Sequence, residues 1–370
     1  MNTISKRERV IYLFGAGASH ASAKSVNSAY GILMTDLRQE LADRLHTIVE
    51  TNTDFKGKGS LQTLVNDVLS DEHVDFEHAI TFLDESPSQL HKQFAAAMRE
   101  SFEEVLRHRL SQIQTDLGGT PDRLYAALLD MYEVPGLPEE LGGCLTINYD
   151  SYLEHAIARF PHLGLDVGIH IHQTSAPKVG IRLLKLHGSF DWEDAWPVAR
   201  KGGETLWIPP GIQKGKERYP FNVLWGLARE LLDCDVLRIV GCRLGANDWD
   251  LISLLFATLH TSAHKGPYRI EIIDAPTQAR RLQRDFPYLG VLSLLEIEPI
   301  GSQLIAEVTG GPPRTFATLT DSEQIAVLEK ASDNRNWFLL WLKHKAEITF
   351  KDIGSVTTKL GAFETLLKAY

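Results

Sequence analysis

The chain carries a run that is apolar at every position, Val10-Ile11-Tyr12-Leu13-Phe14, and halts it on Gly15-Ala16-Gly17-Ala18-Ser19. A strand with apolar side chains on both faces needs cover on both, as in a parallel sheet held between two layers of helices. Short β-rich runs recur at Cys144–Ile147, Leu183–Leu186, Val236–Val240, Ile270–Ile273 and Val291–Ile297, bounded by glycine, aspartate or proline. They predict an α/β chain built on a Rossmann-like, doubly wound parallel sheet. Its 370 residues exceed the roughly 150 of an ordinary domain, so the sheet shares the chain with further structure.

Most of that further structure reads as helix. About 130 residues separate the first two strand runs, and within them Leu33, Leu37, Leu41, Leu45 and Val49 keep an i, i+4 step, as do Phe94, Met98, Phe102 and Leu106. A helical insertion at about residues 24–140 is the simplest account. The polar stretch Thr51–Ser60 predicts a helix–helix loop, and Gly118–Pro121 a second break, with Thr120 as N-cap and Pro121 at the first helical position. Thr309-Gly310-Gly311-Pro312-Pro313 reads as a linker. It divides a sheet domain at 1–308 from a helical C-terminal segment at 309–370, where Ile325, Leu328, Trp337, Leu340, Trp341 and Leu366 keep helical spacing. The cluster Trp337, Phe338, Trp341 suits either a subunit contact or the chain's own core.

Charge and cysteine content exclude several functions. With 48 acidic and 38 basic side chains the net charge is -10, unsuited to coating nucleic acid by bulk attraction, so an anionic ligand must be held locally. Cys144, Cys234 and Cys242 form no CxxC pair and cannot build a four-thiolate zinc site, which suits a reducing cytoplasm. Lys6, Arg7 and Arg9 before Val10–Phe14, with Ala21-Ser22-Ala23 beyond, imitate a secretion signal, but the apolar part ends too soon at Gly15. The longest apolar candidate, Leu251–Leu259, falls short of the roughly 18 residues that span a bilayer and reads as a buried helix face.

Three strand ends carry polar residues that suit chemistry. Glycines after the first strand let the backbone approach a diphosphate, with the amides of the following helix aimed at its charge, although a plain strand–helix turn fits the same residues. The second run ends in Thr146-Ile147-Asn148-Tyr149-Asp150, where Asp150 or Ser151 also suits a helix cap. The third ends in Lys185-Leu186-His187-Gly188-Ser189, with His187 a candidate general base or a structural histidine. Convergence of all three at the carboxyl rim of one sheet is where open α/β folds bind ligands. A dehydrogenase is disfavoured because the third fingerprint glycine is absent, and a metallophosphatase site on Asp150, His187 and Asp191 lacks further ligands.

As an ordered set, Gly15–Ser19, Thr146–Asp150 and Lys185–Gly188 resemble the GAGxS, T-x-N-x-D and K-x-H-G motifs of the sirtuin-like superfamily. Ile239–Leu244 and Ile272-Ile273-Asp274 look like its later strand ends. The resemblance implies NAD as substrate, with Gly15, Ala16, Gly17 and Ser19 at the pyrophosphate and Thr146, Gly188, Ser189, Gly241 and Asp274 completing the binding wall. It also implies that Asn148 orients a water or a ribose hydroxyl, that Asp150 accepts from the nicotinamide carboxamide and that His187 acts as the base, with no metal.

Departures from the deacetylases redirect that expectation. The GIP-FR cover is replaced by His20-Ala21-Ser22-Ala23-Lys24 and the zinc module is missing, which puts an acyl-peptide channel in doubt. Asp75-Phe76-Glu77 in the insertion is similar to a pattern of bacterial sirtuin-like antiphage proteins that hydrolyse NAD. The resemblance therefore implies an NAD glycohydrolase releasing nicotinamide and ADP-ribose, regulated by self-assembly or by a partner such as a HerA-type ATPase, while net charge and the short apolar runs predict no nucleic-acid and no membrane partner. An ADP-ribosyl transferase or deacylase, and a non-catalytic NAD or ADP-ribose sensor, are the alternatives. Arg243 suits either a phosphate contact or a pairing with Asp248.

Overall fold

The computed structural model describes residues 7–27, 29–56, 58–70, 75–116, 121–160, 162–169, 180–192, 206–211, 216–261, 269–287, 292–294, 302–315, 318–332 and 336–352. The strands among them are β1 (Glu8–Phe14), β2 (Glu139–Thr146), β3 (Gly164–Asp166), β4 (Gly180–Lys185), β5 (Val236–Val240), β6 (Arg269–Ile273) and β7 (Leu292–Leu294). Six form a continuous all-parallel ladder in the order β4-β2-β1-β5-β6-β7, and the short β3 pairs parallel with the outer edge of β4. The doubly wound α/β sheet expected from the apolar runs is present.

Its two faces carry separate cores. Val10, Tyr12 and Phe14 of β1 point into one, and Ile11 and Leu13 into the other, as strand alternation requires. The first face is covered by α1 (Ala16–Val26) and by the insertion, which comprises α2 (Met34–Thr51), α3 (Gly59–Ser70), α4 (Phe76–Glu85), α5 (Gln89–Asp116) and α6 (Arg123–Tyr132). The four-residue step in α2 buries Leu37, Leu41, Leu45 and Val49 as expected. The second face is covered chiefly by α8 (Phe221–Leu231), α9 (Trp249–Thr261) and α10 (Pro276–Asp285). The α7 helix (Tyr152–Ala158) packs with the insertion side.

Two boundaries differ from the expectation. β2 begins at Glu139, ahead of the expected Cys144, and the buried Glu139 side chain is compensated by its ion pair with Arg238 at 2.8 Å. Helix α6 starts at Arg123 after Asp122, whose carboxylate takes Arg159 at 2.8 and 2.6 Å; the proposed cap Thr120 lies outside the described residues. The last strand run is a strand at Leu292–Leu294, and 295–297 lie outside the described residues.

The C-terminal segment is no free appendage over its described part. After α11 (Ser302–Thr309), α12 (Asp321–Ser332) joins a small core of Ile305, Leu319 and Val327. Helix α13 (Trp337–Asp352) buries Phe338, Trp341, Leu342 and Ala346 in the insertion-side core, with the Trp341 ring 6.1 Å from that of Tyr12. Phe338 and Trp341 are thus occupied within the chain, which takes them out of any subunit contact; Leu366 lies outside the described residues. No described helix is long and apolar enough to cross a membrane.

Candidate functional site

Chain order reverses direction across the sheet between β1 and β5, the topological switch point at which such sheets open a crevice. Two glycine loops meet there. The Gly15 amide donates to the Val240 carbonyl at 3.0 Å and the Gly17 amide to that of Gly241 at 2.9 Å. A Cβ on Gly15 would lie 2.6 Å from the Gly241 oxygen, and one on Gly17 2.8 Å from it. These glycines therefore serve first to seat one loop on the other, and their amides are spent on that contact. The Ala16 amide, at the N-terminus of α1, has no hydrogen-bond partner among the described residues and is the donor that the turn leaves for an anion.

Gly241 is held at φ +56°, where a side chain is strained, and its Cβ would stand 2.2 Å from the Ala18 nitrogen. Gly241→Ala is expected to force α1 away from β5 and to cost roughly 1–3 kcal/mol of stability, read as a lowered urea midpoint. An unchanged midpoint would mean that the loops are not packed this way. Leu244 in the same loop is buried with φ +46°, a second left-handed residue beside the crevice.

Asn148 links the β2 end to the glycine loop. Its Nδ2 donates to the Gly15 carbonyl at 2.9 Å and to Ser19 Oγ at 3.0 Å, and the Ser19 hydroxyl pairs with Tyr125 OH at 2.8 Å. Thr146 sits beneath, its Oγ1 donating to Phe14 O at 3.1 Å and accepting the Asn148 amide at 3.1 Å. That places Thr146 as a brace for the turn. Ser151 holds the N-cap position of α7 without a side-chain cap bond, while Asp150 Oδ1 accepts the Tyr152 amide at 3.1 Å, and the crowding of protein around the carboxyl raises its pKa against the pull of Lys185.

The β4 end joins the same rim. Lys185 is fully buried, and its Nζ donates to the Asp150 carbonyl, to Glu154 Oε1 at 2.8 Å and to Ser189 Oγ at 2.9 Å, tying the β2 and β4 turns together. Gly188 adopts φ +79° with its absent Cβ 2.2 Å from the Leu206 carbonyl, so the turn is pressed against Trp207. The buried His187 ring lies 6.3 Å from the Tyr149 ring, and Tyr149 packs in turn on Phe190 and Trp207, each at 5.2 Å. Asn148, Asp150 and His187 are therefore gathered at adjacent strand ends. Asp191 carries no described side chain.

At the β6 end Asp274 Oδ1 accepts the Ala275 amide at 2.7 Å, while burial lifts its pKa to about 6, partly offset by Arg281. The folded state then holds the proton more tightly than the unfolded chain between about pH 4 and 6, so Asp274 lowers stability as pH rises through that window. Asp274→Asn is expected to raise stability by about 2–3 kcal/mol at pH 8 and to change it little at pH 4. Urea titrations at the two pH values check this; equal effects at both would contradict it. Arg243 is exposed, with its carbonyl accepting from Arg281 Nη2, while Asp248 Oδ2 accepts the Gly245 amide at 3.0 Å.

Among the described residues no group of His, Cys, Asp and Glu is arranged to hold a metal ion. Sequence reasoning assigned no role to Tyr149, Trp207 or Asn247, which join segments far apart in the chain and carry no local pattern. No protein-family model and no curated protein matches the chain.

Proposed function

We propose that the chain is an NAD glycohydrolase, cleaving the bond between nicotinamide and ribose with water as acceptor. The observation that carries this reading is the gathering of Asn148 and His187 on adjacent strand ends beside the glycine loop at the switch point. The Ala16 amide suits a phosphate oxygen, and the raised pKa of Asp274 suits a carboxyl that exchanges hydrogen bonds with ribose hydroxyls. When the C1′–N bond breaks, its electron pair goes to the pyridinium nitrogen and the sugar becomes oxocarbenium-like. Water then adds at C1′, and His187 takes the proton it loses.

The resemblance extends the proposal to a regulated effector of antiphage defence that depletes NAD. One observation favours a second reading, binding of NAD or ADP-ribose without turnover: Asn148 Nδ2 is already engaged twice within the chain. Purified protein with NAD and no acylated peptide is expected to release nicotinamide. Release that requires the peptide supports the transferase or deacylase instead, and calorimetric binding without release supports the sensor.

A further inference from the structure

The loop after β5 carries an unusual side chain. Asn247 is 8% exposed, and its Oδ1 is buried with no hydrogen-bond partner among the described residues. Its Nδ2 donates at 3.0 Å to Oδ1 of Asp75 in the helical insertion. That contact fixes which way the carboxamide faces, because Asp75 Oδ1 is an acceptor, already taking two backbone amides, and the atom against it is the nitrogen. Asp75 is itself held as the N-cap of α4, accepting the Glu77 amide at 2.8 Å and the His78 amide at 3.2 Å. The insertion therefore reaches over to the switch-point loop and clamps one end of Asn247 while the other end is left without a donor.

A buried amide oxygen without a donor costs stability, and such atoms are rare unless something else supplies the hydrogen bond. The surroundings point toward the rim. Asp248 follows Asn247 in the chain, Glu77 follows closely on Asp75, and both carboxylates act on the phenol of Tyr149, which burial and their charge push well above its ordinary pKa. Tyr149 is the residue stacked on His187. The loop that holds Asn247 begins at Gly241, the glycine seated on Gly17.

We propose that Asn247 is a specificity-determining contact of this site: its carboxamide oxygen accepts a hydrogen bond from an N–H or O–H group of the bound dinucleotide, and Asp75 of the insertion aims it. The proposal rests on the NAD reading and deepens it, giving the insertion a part in ligand recognition. An acceptor flanked by carboxylates takes a donor and rejects another acceptor. The donor belongs either to the nicotinamide carboxamide or to the adenosine and ribose portion, and ADP-ribose, which lacks the former, separates the two.

The test is calorimetric binding of NAD and of ADP-ribose to Asn247→Leu, with His187→Ala as the common background so that NAD is not consumed, together with thermal melts. Leucine keeps the volume and removes the acceptor, while Asp75 retains its two backbone donors. The expected result is about tenfold weaker binding with a melting temperature equal to or above that of the background protein, since an unsatisfied buried atom has been removed. Weakening for both ligands assigns the donor to the ADP-ribose portion, and weakening for NAD alone assigns it to the carboxamide. Unchanged affinity for both ligands would overturn the proposal, as would failure of both Asn247→Leu and Asn247→Ala to fold, which would make the residue structural. If the background protein and the wild type bind neither ligand, the NAD reading itself fails.

Discussion

His187→Ala is expected to lower nicotinamide release from NAD by roughly 100- to 10,000-fold, the range that loss of a general base produces, while the protein stays folded. The imidazole packs on Tyr149, and that ring keeps Phe190, Trp207 and a hydrogen bond to the Ile208 carbonyl at 2.9 Å when histidine is removed. The aromatic cluster therefore outlasts the substitution. Asn148→Ala is expected to act alike, because Ser19 retains its bond to Tyr125 and Thr146 still braces the Phe14 carbonyl. Steady-state assays with circular dichroism on both variants check this. Turnover equal to wild type in either variant removes that residue from the chemistry.

The largest effect on stability is expected at Arg238, which is 2% exposed in the middle of the sheet. Its guanidinium donates to Glu139 at 2.8 and 2.8 Å, to Glu271 at 2.7 Å, and to the hydroxyls of Tyr12 and Tyr132 at 2.9 and 3.0 Å. Lys345 of α13 adds a bond to Glu139 at 2.6 Å. Arg238→Met leaves two carboxylates in the interior without their main cation, which costs about 3–5 kcal/mol. A urea midpoint within experimental error of wild type would contradict this. Burial alone would raise the pKa of Glu139, yet Arg238 and Lys345 hold it at about 2. Its contribution is thus fully present above the ordinary carboxylate range and is lost as pH falls through about 2.

That network also marks where the sequence ceased to be informative. Val236–Val240 reads as a buried strand because four of its five side chains are apolar, but nothing local announces that Arg238 is satisfied by Glu139, 99 residues away. β1, β5 and β6 are legible because central parallel strands are apolar on both faces; β3 is not, being three residues long at the sheet edge with Leu165 exposed. Helical spacing located α13 but not its docking partner, since Trp341 suits any apolar surface until Tyr12 is seen against it and Phe14 against Phe338. At the site, strand-end polarity placed Asn148, Asp150 and His187 on one rim. It missed the brace of Lys185 across two turns and the clamp of Asp75 on Asn247, both long-range contacts without a periodic signature.

The central claim is that the rim around Asn148 and His187 breaks the nicotinamide–ribose bond. Chromatography of NAD incubated with the purified full chain, without peptide and over a range of protein concentrations, tests it most directly. Nicotinamide and ADP-ribose should appear in equal amounts in wild type, and at least about 100-fold more slowly in His187→Ala. Intact NAD at every concentration, or product formation at the wild-type rate in the histidine variant, would contradict it.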